Sequence, residues 1–151
     1  MKKLLLLLMI VPMIGFGQWE CISGDCENGY GTSSDTESTW SYTGSFRDGL
    51  PNGVGEMSWM WDEWDDNDDE IWGYFFERGY YYDGKLDGYG TTQKRELIIE
   101  DNERYSYEVW THMGEYKDGK WNGYGLLKRV DESGYFGYWV NGDLLKTISK
   151  F

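Results

Sequence analysis

The chain has 151 residues, a formal net charge of −13 and an aromatic content of 19% that includes nine Trp and thirteen Tyr. This length suffices for one domain. The charge disfavours nucleic acid, whose phosphates need Lys and Arg to displace counterions, and also disfavours unassisted docking on anionic lipid, so a cationic partner fits better. The acidity also has a plain structural use, because it keeps an aromatic-rich protein soluble.

The first segment, residues 1–17, begins Met-Lys-Lys, continues with an apolar run from Leu4 to Ile14 and ends in Gly-Phe-Gly. A basic start, an apolar stretch too short to span a bilayer and a small-x-small site are typical of a secretory signal peptide. We expect cleavage after Gly17 and a periplasmic or secreted mature domain at residues 18–151. Loss of Lys2 and Lys3 would take the formal charge from −13 to −15. An uncleaved N-terminal anchor is the alternative.

The only two cysteines, Cys21 and Cys26, lie on either side of a reversal expected at Gly24-Asp25. In an exported chain an isolated pair is most simply a disulfide, which here would staple the first hairpin. A metal site would need more Cys or His ligands nearby, and His112 is the only histidine in the chain.

One sequence pattern recurs along the chain and is clearest from residue 42 onward. We number the positions of each copy as offsets from its first residue, which has offset 0. Copies begin at residues 18, 42, 77, 112 and 135; the first is degenerate and ends in Asn28-Gly29-Tyr30-Gly31, and the last is truncated. Glycines fall at offsets 2, 7, 11 and 13 of the full copies: Gly44, Gly49, Gly53 and Gly55; Gly79, Gly84, Gly88 and Gly90; Gly114, Gly119, Gly123 and Gly125; and, in the truncated copy, Gly137 and Gly142. Such periodicity indicates stacked units that share one continuous fold.

Each copy predicts one β-hairpin. An aromatic residue stands at offset 4, as Phe46, Tyr81, Tyr116 and Trp139, and alternation places it on the same face as offsets 0 and 2. Asp-Gly or Asn-Gly at offsets 6 and 7 is the strongest short signal for a tight turn. The glycines at offsets 11 and 13 leave a groove that a ring from a neighbouring strand can cover. We therefore predict an all-β protein with a single antiparallel sheet and no helix after Gly17.

The pattern Y-x-G-x-F-x-x-G-x-x-x-G-x-G at residues 42–55 resembles the MORN repeat (membrane occupation and recognition nexus), and the resemblance covers most of residues 18–145. Three copies keep all four glycines and the paired turn residues, whereas Glu77 and His112 stand where the family usually has Tyr. The resemblance implies an elongated, single-layer antiparallel sheet used for scaffolding, with membrane or lipid attachment proposed for some members. It implies no reaction.

Two copies are eleven or twelve residues longer than the others, and the extra length lies within segments 56–76 and 91–111. Both segments look like lengthened hairpins that project from one edge of the sheet. The first has an acidic tip at residues 62–70, whose carboxylates are Asp62, Glu63, Asp65, Asp66, Asp68, Asp69 and Glu70. Calcium prefers oxygen ligands, and the candidate ligands in this tip are Asp62, Asp65, Asp66, Asp68, Asp69 and Glu70. The tip lacks the glycine and distal Glu of an EF-hand, so we expect a solvated loop that repels edge pairing.

Catalysis has little support in the sequence. There is no G-x-S-x-G, no phosphate-cradling G-x-x-x-x-G-K and no histidine near a nucleophile, and His112 occupies a position that is normally aromatic. We expect no cofactor and no enzymatic activity, although a glycan-acting enzyme with paired carboxylates stays a distant alternative. The rings at offset 12, Tyr30, Tyr89 and Tyr124, lie on the face opposite the offset-4 rings. A single-layer sheet cannot bury both faces, so some rings must be partly exposed, which favours a peptide, glycan or protein partner. The offset-4 rings Phe46, Tyr81, Tyr116 and Trp139 are weak binding candidates, because packing on glycine is their expected use.

The sequence therefore favours an exported, non-enzymatic repeat module that binds a protein or a cell-envelope component. A membrane-peripheral module is the alternative, and with this charge it would need a divalent bridge or a zwitterionic surface.

Overall fold

The computed structural model describes residues 19–36, 39–64, 70–100, 103–131 and 133–151, and it leaves the side chains of 62–64, 70–71, 97–100 and 103–107 undescribed. The signal peptide predicted at residues 1–17 lies outside these ranges. The described strands are β1 (Trp19–Gly24), β2 (Tyr30–Asp35), β3 (Trp40–Arg47), β4 (Leu50–Trp64), β5 (Glu70–Tyr82), β6 (Lys85–Glu100), β7 (Glu103–Lys117), β8 (Lys120–Arg129), β9 (Gly134–Val140) and β10 (Asp143–Lys150).

These strands form one antiparallel sheet in which spatial order follows chain order from β1 to β10. The prediction of an all-β, single-layer antiparallel sheet is confirmed. Within the described ranges, no helix is long and apolar enough to cross a membrane.

The tight turns lie where Asp-Gly or Asn-Gly predicts them. In the β3–β4 hairpin, Asp48 and Gly49 have φ values of 51° and 75°. Positive φ at both central residues is the conformation that matches the twist of the flanking strands, and Asp, Asn and Gly tolerate it best. The corresponding turns of the other hairpins, Asp83-Gly84, Asp118-Gly119 and Asn141-Gly142, also have positive φ at both residues.

A backbone hydrogen bond ties each of these turns to the hairpin before it. The N–H of the turn glycine donates to a carbonyl of the preceding copy: Gly49 to Glu27 (3.0 Å), Gly84 to Pro51, Gly119 to Leu86 and Gly142 to Trp121 (each 2.9 Å). Since the donor is the offset-7 glycine every time, the repeat encodes both the turn and its attachment to the neighbouring hairpin.

Large side chains lie flat over the paired glycines of adjacent strands. The Tyr42 ring occupies the space that a Cβ on Gly44 or Gly55 would need. His112 does the same over Gly114 and Gly125. Where Glu77 replaces the offset-0 ring, Leu86 from offset 9 covers Gly79 and Gly90 instead, and Leu144 covers Gly137. The glycines therefore let one layer bury its own rings without a second layer on top.

The buried side chains share one side of the sheet, which we call the core face. Its buried apolar residues are Tyr42, Phe46, Met57, Tyr81, Leu86, Tyr116, Leu127 and Trp139. Direct cross-strand partners project to the same side, and the run Tyr42, Met57, Glu77, Thr92 and His112 crosses β3 to β7 in this way. We call the opposite side the open face.

The two inserted segments do lengthen the β4–β5 and β6–β7 hairpins, as predicted. They do not project separately, because β5 and β6 stay paired as far as Trp72 and Leu97. Both insertions add a similar length at the same end of the strands, so β4, β5, β6 and β7 stay paired beyond the ends of their neighbours and form a four-stranded extension.

The two outer strands have irregular edges. Register shifts occur at Ile22 in β1 and at Leu145 and Ile148 in β10. Bulges of this kind bend an edge strand and make it a poor template for pairing with another chain. The sheet therefore protects both edges that its topology leaves open.

Candidate binding surfaces

The four offset-4 rings lie inside the core face. Phe46, Tyr81, Tyr116 and Trp139 are exposed by 6%, 0%, 3% and 4% respectively. Tyr81 packs edge-on against Tyr42 with ring centroids 5.1 Å apart, and Trp139 packs in the same way against Trp121 at 4.9 Å. A partner that meets the surface of this protein does not reach these rings, so the accessible aromatic surface lies elsewhere.

His112 is a fully buried member of the ring stack. It stacks on Trp121 with centroids 4.3 Å apart, and its Nδ1 lies 2.8 Å from the Tyr116 hydroxyl. Burial lowers the pKa of His112 to about 4, so the ring is neutral near pH 7. Its Nε2 has no hydrogen-bond partner among the described residues and lies over Gly125. This environment suits a packing role.

Glu77 is a half-buried carboxyl group at the equivalent position of the preceding copy. Its cross-strand neighbours are Met57 and Thr92, and its backbone carbonyl accepts a hydrogen bond from the Tyr81 hydroxyl at 3.4 Å. Burial raises the pKa of Glu77 to about 7. One sequence signal marks this unusual group: a carboxylate stands where the repeat usually has a ring.

A cluster of accessible aromatic side chains lies on the open face, over β6 to β9. A shallow hollow of about 580 Å³ is lined by Tyr89, Met113, Tyr124, Leu126 and Phe136, with Tyr138 beside Tyr124. Tyr89 is 75% exposed and Tyr124 is 52% exposed. Paired glycines form part of its floor. We call this set of six side chains the open-face hollow.

Charged groups border the open-face hollow. Glu56 and Arg78 form an ion pair on the same face, and Lys117 donates to Asp87 at 2.7 Å. This hydrogen bond from Lys117 lowers the pKa of Asp87. Glu115 lies within the hollow and accepts the backbone N–H of Tyr124 at 3.3 Å. The surface thus combines an apolar centre with a polar rim, which is the usual anatomy of a protein-binding patch.

A second recess lies on the core face, over the last strands. It has a volume of about 520 Å³ and is lined by Trp110, Trp121, Leu127, Arg129, Tyr135, Trp139 and Leu144. Arg129 and Lys150 both place their charged groups over the Tyr135 ring, 5.5 Å and 5.2 Å from its centroid. We call this recess the C-terminal groove. Its walls are aromatic and its rim is basic.

The predicted disulfide is present between Cys21 and Cys26, across the reversal that begins at Gly24. The Asp25 carboxylate accepts the backbone N–H groups of Asn28 and Glu27 in this turn, and these hydrogen bonds lower its pKa. A bonded pair at this place is consistent with an oxidising compartment.

The acidic tip, residues 62–70, has no side chain among those described, so the candidate ligands Asp62, Asp65, Asp66, Asp68, Asp69 and Glu70 lie outside the described part of the molecule. Among the side chains that are described, no group of three or more His, Cys, Asp or Glu could hold a metal ion. The behaviour of the tip with calcium stays a prediction.

Sequence comparisons agree with the hairpin pattern. The family profile of the MORN repeat matches residues 42–61, 78–95 and 112–133. The three matches begin in β3, β5 and β7, so each includes one Asp-Gly turn and the paired glycines that follow it. A search of curated proteins finds no significant match.

Proposed function

Because the chain belongs to the MORN-repeat family, we propose that it is an exported, non-enzymatic repeat module that binds a protein or a cell-envelope component through the open-face hollow. The sheet acts as a rigid platform, and the hollow supplies the contact surface.

The observation that carries this proposal is the concentration of exposed rings on one patch. Tyr89, Tyr124, Phe136 and Tyr138 stand on β6, β8 and β9, and Met113 on β7 lies between them. Exposed apolar patches with polar rims mark interaction sites in soluble proteins, and tyrosine and methionine are frequent in such interfaces. A flat, aromatic surface suits a protein or a polymer of the envelope better than a small substrate, which needs a deeper cavity.

The proposal that the protein is not an enzyme rests on the packing of His112 and Glu77, the two side chains whose pKa values would otherwise suggest acid–base chemistry. His112, the only histidine, is enclosed by Trp121, Tyr116 and Trp139 and is held as a neutral ring. Glu77, the one described carboxyl group with a pKa raised to about 7, projects into the same core face. Neither group lines any of the four hollows described on the sheet, which supports a packing role for both.

Export is supported by the disulfide and by the signal-like residues 1–17. An alternative function as a membrane-peripheral module follows from the family name, but the acidic surface would need a divalent bridge. Liposome flotation of residues 18–151 with and without calcium separates the two: co-flotation with zwitterionic or calcium-bridged vesicles would favour the membrane.

The proposal is tested by affinity capture from an envelope extract with residues 18–151 as bait. The test variant carries Tyr89→Ser and Tyr124→Ser, and the matched control carries Tyr30→Ser, which removes a ring of similar exposure from the far end of the open face. We expect wild type and the control to recover the same binding component and the double variant to lose it. Equal recovery by all three proteins would contradict the assignment of the open-face hollow.

A further inference from the structure

The interior of the array follows a packing rule that bears on the C-terminal groove. The residue at offset 0 of one copy is covered by the offset-4 ring of the next copy: Tyr81 packs on Tyr42 at 5.1 Å, and Trp139 packs on His112 at 5.4 Å. As a result Tyr42 and His112 are completely buried. Each of these two copies thus has a packing position next to its offset-0 residue, which we call the seat, and the aromatic side chain of the next copy fills it.

The last copy offers the same seat without a described ring in it. Tyr135 stands at offset 0 and Leu144 at offset 9, but Tyr135 keeps part of its surface exposed, unlike Tyr42 and His112. Lys146 and Ile148 replace the glycines at offsets 11 and 13, so Tyr135 has no glycine pair on β10 to lie on. The C-terminal groove, about 520 Å³ in volume, lies between Tyr135, Leu144 and Trp139.

The charge around this groove differs in sign from the rest of the chain. Residues 117–151 contain six Lys or Arg against four Asp or Glu, whereas residues 18–116 contain six against twenty-three. Arg129 lines the groove, and Lys150 lies beside it over Tyr135. At physiological ionic strength charges more than about 8 Å away are largely screened, so a ligand in the groove responds mainly to the charges nearest to it. These are Arg129, Lys150 and the carboxylate of Asp131, whose pKa is lowered by hydrogen bonds from Ser133 and by Arg129.

We propose that the C-terminal groove is a docking site for an extended segment of another protein that carries an aromatic side chain flanked by carboxylates. The aromatic ring packs on Leu144 and Trp121 beside Tyr135, at the position that the next copy's ring fills in the interior, while Arg129 and Lys150 stay over the Tyr135 ring. The flanking carboxylates pair with Arg129 and Lys150. This site lies on the opposite side of the sheet from the open-face hollow and does not depend on the function proposed for it.

The chemistry of the groove selects for both parts of this ligand. An aromatic side chain is favoured because the half-buried rings of Trp110 and Trp121 are accessible to it, and ring pairs contribute beyond their buried area. A carboxylate is favoured because the guanidinium of Arg129 can bind it through two parallel hydrogen bonds. A basic segment with the same ring would meet two cations and be repelled.

The test measures fluorescence anisotropy of labelled pentapeptides with residues 18–151 in the oxidised state. The peptides are Asp-Asp-Trp-Asp-Asp, the same with Ala for Trp, and Lys-Lys-Trp-Lys-Lys. We expect only the first to bind, with an affinity that falls as salt is raised. Binding of the basic peptide at equal affinity would overturn the proposal, because it would show that Arg129 and Lys150 do not select for an acidic peptide.

Protein variants locate the binding. The test variant is Arg129→Glu with Lys150→Glu, and the matched control is Lys120→Glu with Lys128→Glu, which changes the net charge equally at exposed positions outside the groove. We expect at least a tenfold loss of affinity in the test variant and less than a twofold change in the control. Tyr89→Ser with Tyr124→Ser should bind the peptide normally, so failure here and failure of the open-face proposal are distinguishable.

Self-association is the competing outcome, since residues 62–70 of a second copy are themselves acidic and contain Trp64. Sedimentation of residues 18–151 over a hundredfold range of concentration separates the two occupants. We expect no dimer. A dimer that Arg129→Glu with Lys150→Glu abolishes would overturn the proposal, because the occupant would then be a second copy. An equal loss of affinity in test and control variants would also overturn it.

Discussion

Glu77 and His112 occupy the same offset in successive copies, and Thr92 is the cross-strand neighbour of both. Burial acts on the two groups in opposite directions, since it raises the pKa of Glu77 to about 7 and lowers the pKa of His112 to about 4. In each case the fold favours the neutral form. Their contributions to the pH dependence of stability therefore have opposite signs and offset each other between about pH 4 and pH 7.

Replacing Glu77 with Gln removes the first contribution. The folded pKa of about 7 lies above the ordinary 4.5, so the stability linked to Glu77 is fully present below pH 4.5 and is lost as the pH rises through 7. We expect Glu77→Gln to be more stable than wild type at pH 8, by about 1–2 kcal/mol once partial exposure is allowed for, and to lose this advantage at pH 4. Urea unfolding at both pH values measures the difference. Glu56→Gln, at an exposed ion pair, is the control and should show no such gain.

Replacing His112 with Tyr removes the second contribution, and Tyr42 shows that this repeat position accepts that ring. The folded pKa of about 4 lies below the ordinary 6.5, so the stability linked to His112 is present above pH 6.5 and is lost as the pH falls through 4. We expect wild type to lose up to about 3 kcal/mol more than His112→Tyr between pH 7 and pH 4. Thermal unfolding followed by Trp fluorescence gives the comparison. Parallel pH profiles for the two proteins would contradict the burial of a titrating histidine.

The fold could be predicted from the sequence because its determinants are local. Asp48-Gly49 fixes a turn by its own backbone preference, and the spacing of Tyr42, Gly44 and Gly55 places a ring over two glycines by alternation alone. Glu77 stands where the repeat usually has a ring, and Leu86 covers the glycine pair instead. This role of Leu86 could not be predicted from alternation or turn preference. Leu86 reaches Gly79 from the next strand, so its role depends on the cross-strand register.

The candidate surfaces were predictable only in part, for the same reason. Tyr89 and Tyr124 recur at offset 12, so alternation assigns them to the open face. Met113 and Phe136 share offset 1 with Thr43 and Arg78, and a position with such mixed composition gives no signal. Only the pairing of β7, β8 and β9 brings these side chains into one hollow.

The paired glycines and the turn glycines should respond differently to the same substitution. A Cβ on Gly55 would overlap the buried Tyr42 ring, which cannot move because Tyr81 and Phe46 pack against it. We expect Gly55→Ala to destabilise the fold by about 2–3 kcal/mol through overpacking. Gly84 has φ of 80° with open space around it, so Gly84→Ala meets only backbone strain and should cost about 1 kcal/mol. Chemical denaturation ranks the two, and the reverse order would show that turn strain dominates over ring packing.

The disulfide should stabilise the first hairpin and little else. Cys21 and Cys26 close a loop with a sequence separation of only 5, so the entropic contribution is modest, about 2 kcal/mol in the chain-entropy model. We expect Cys21→Ser with Cys26→Ser to speed amide exchange in β1 and β2 while β5 to β8 keep the wild-type rates. Hydrogen exchange with mass spectrometry detects this, and intact mass should show the oxidised wild type two protons lighter than the reduced form. Uniformly faster exchange across the sheet would instead mean that the cap supports the whole array.

The acidic tip at residues 62–70 is either a solvated loop or a calcium site, and the two hypotheses predict different responses to ions. If the seven carboxylates within these nine residues only repel one another, salt should stabilise the protein slightly, and monovalent and divalent ions should act alike at equal ionic strength. A true calcium site would exchange that repulsion for coordination and add about 2.7 kcal/mol at a hundredfold excess of ligand over Kd. We expect the first result. Calcium is titrated at fixed ionic strength into wild type and a variant with Asp65, Asp66, Asp68 and Asp69 changed to Asn, with Trp fluorescence and Tm as readouts. A saturable response in wild type that the variant lacks would show that the loop binds calcium.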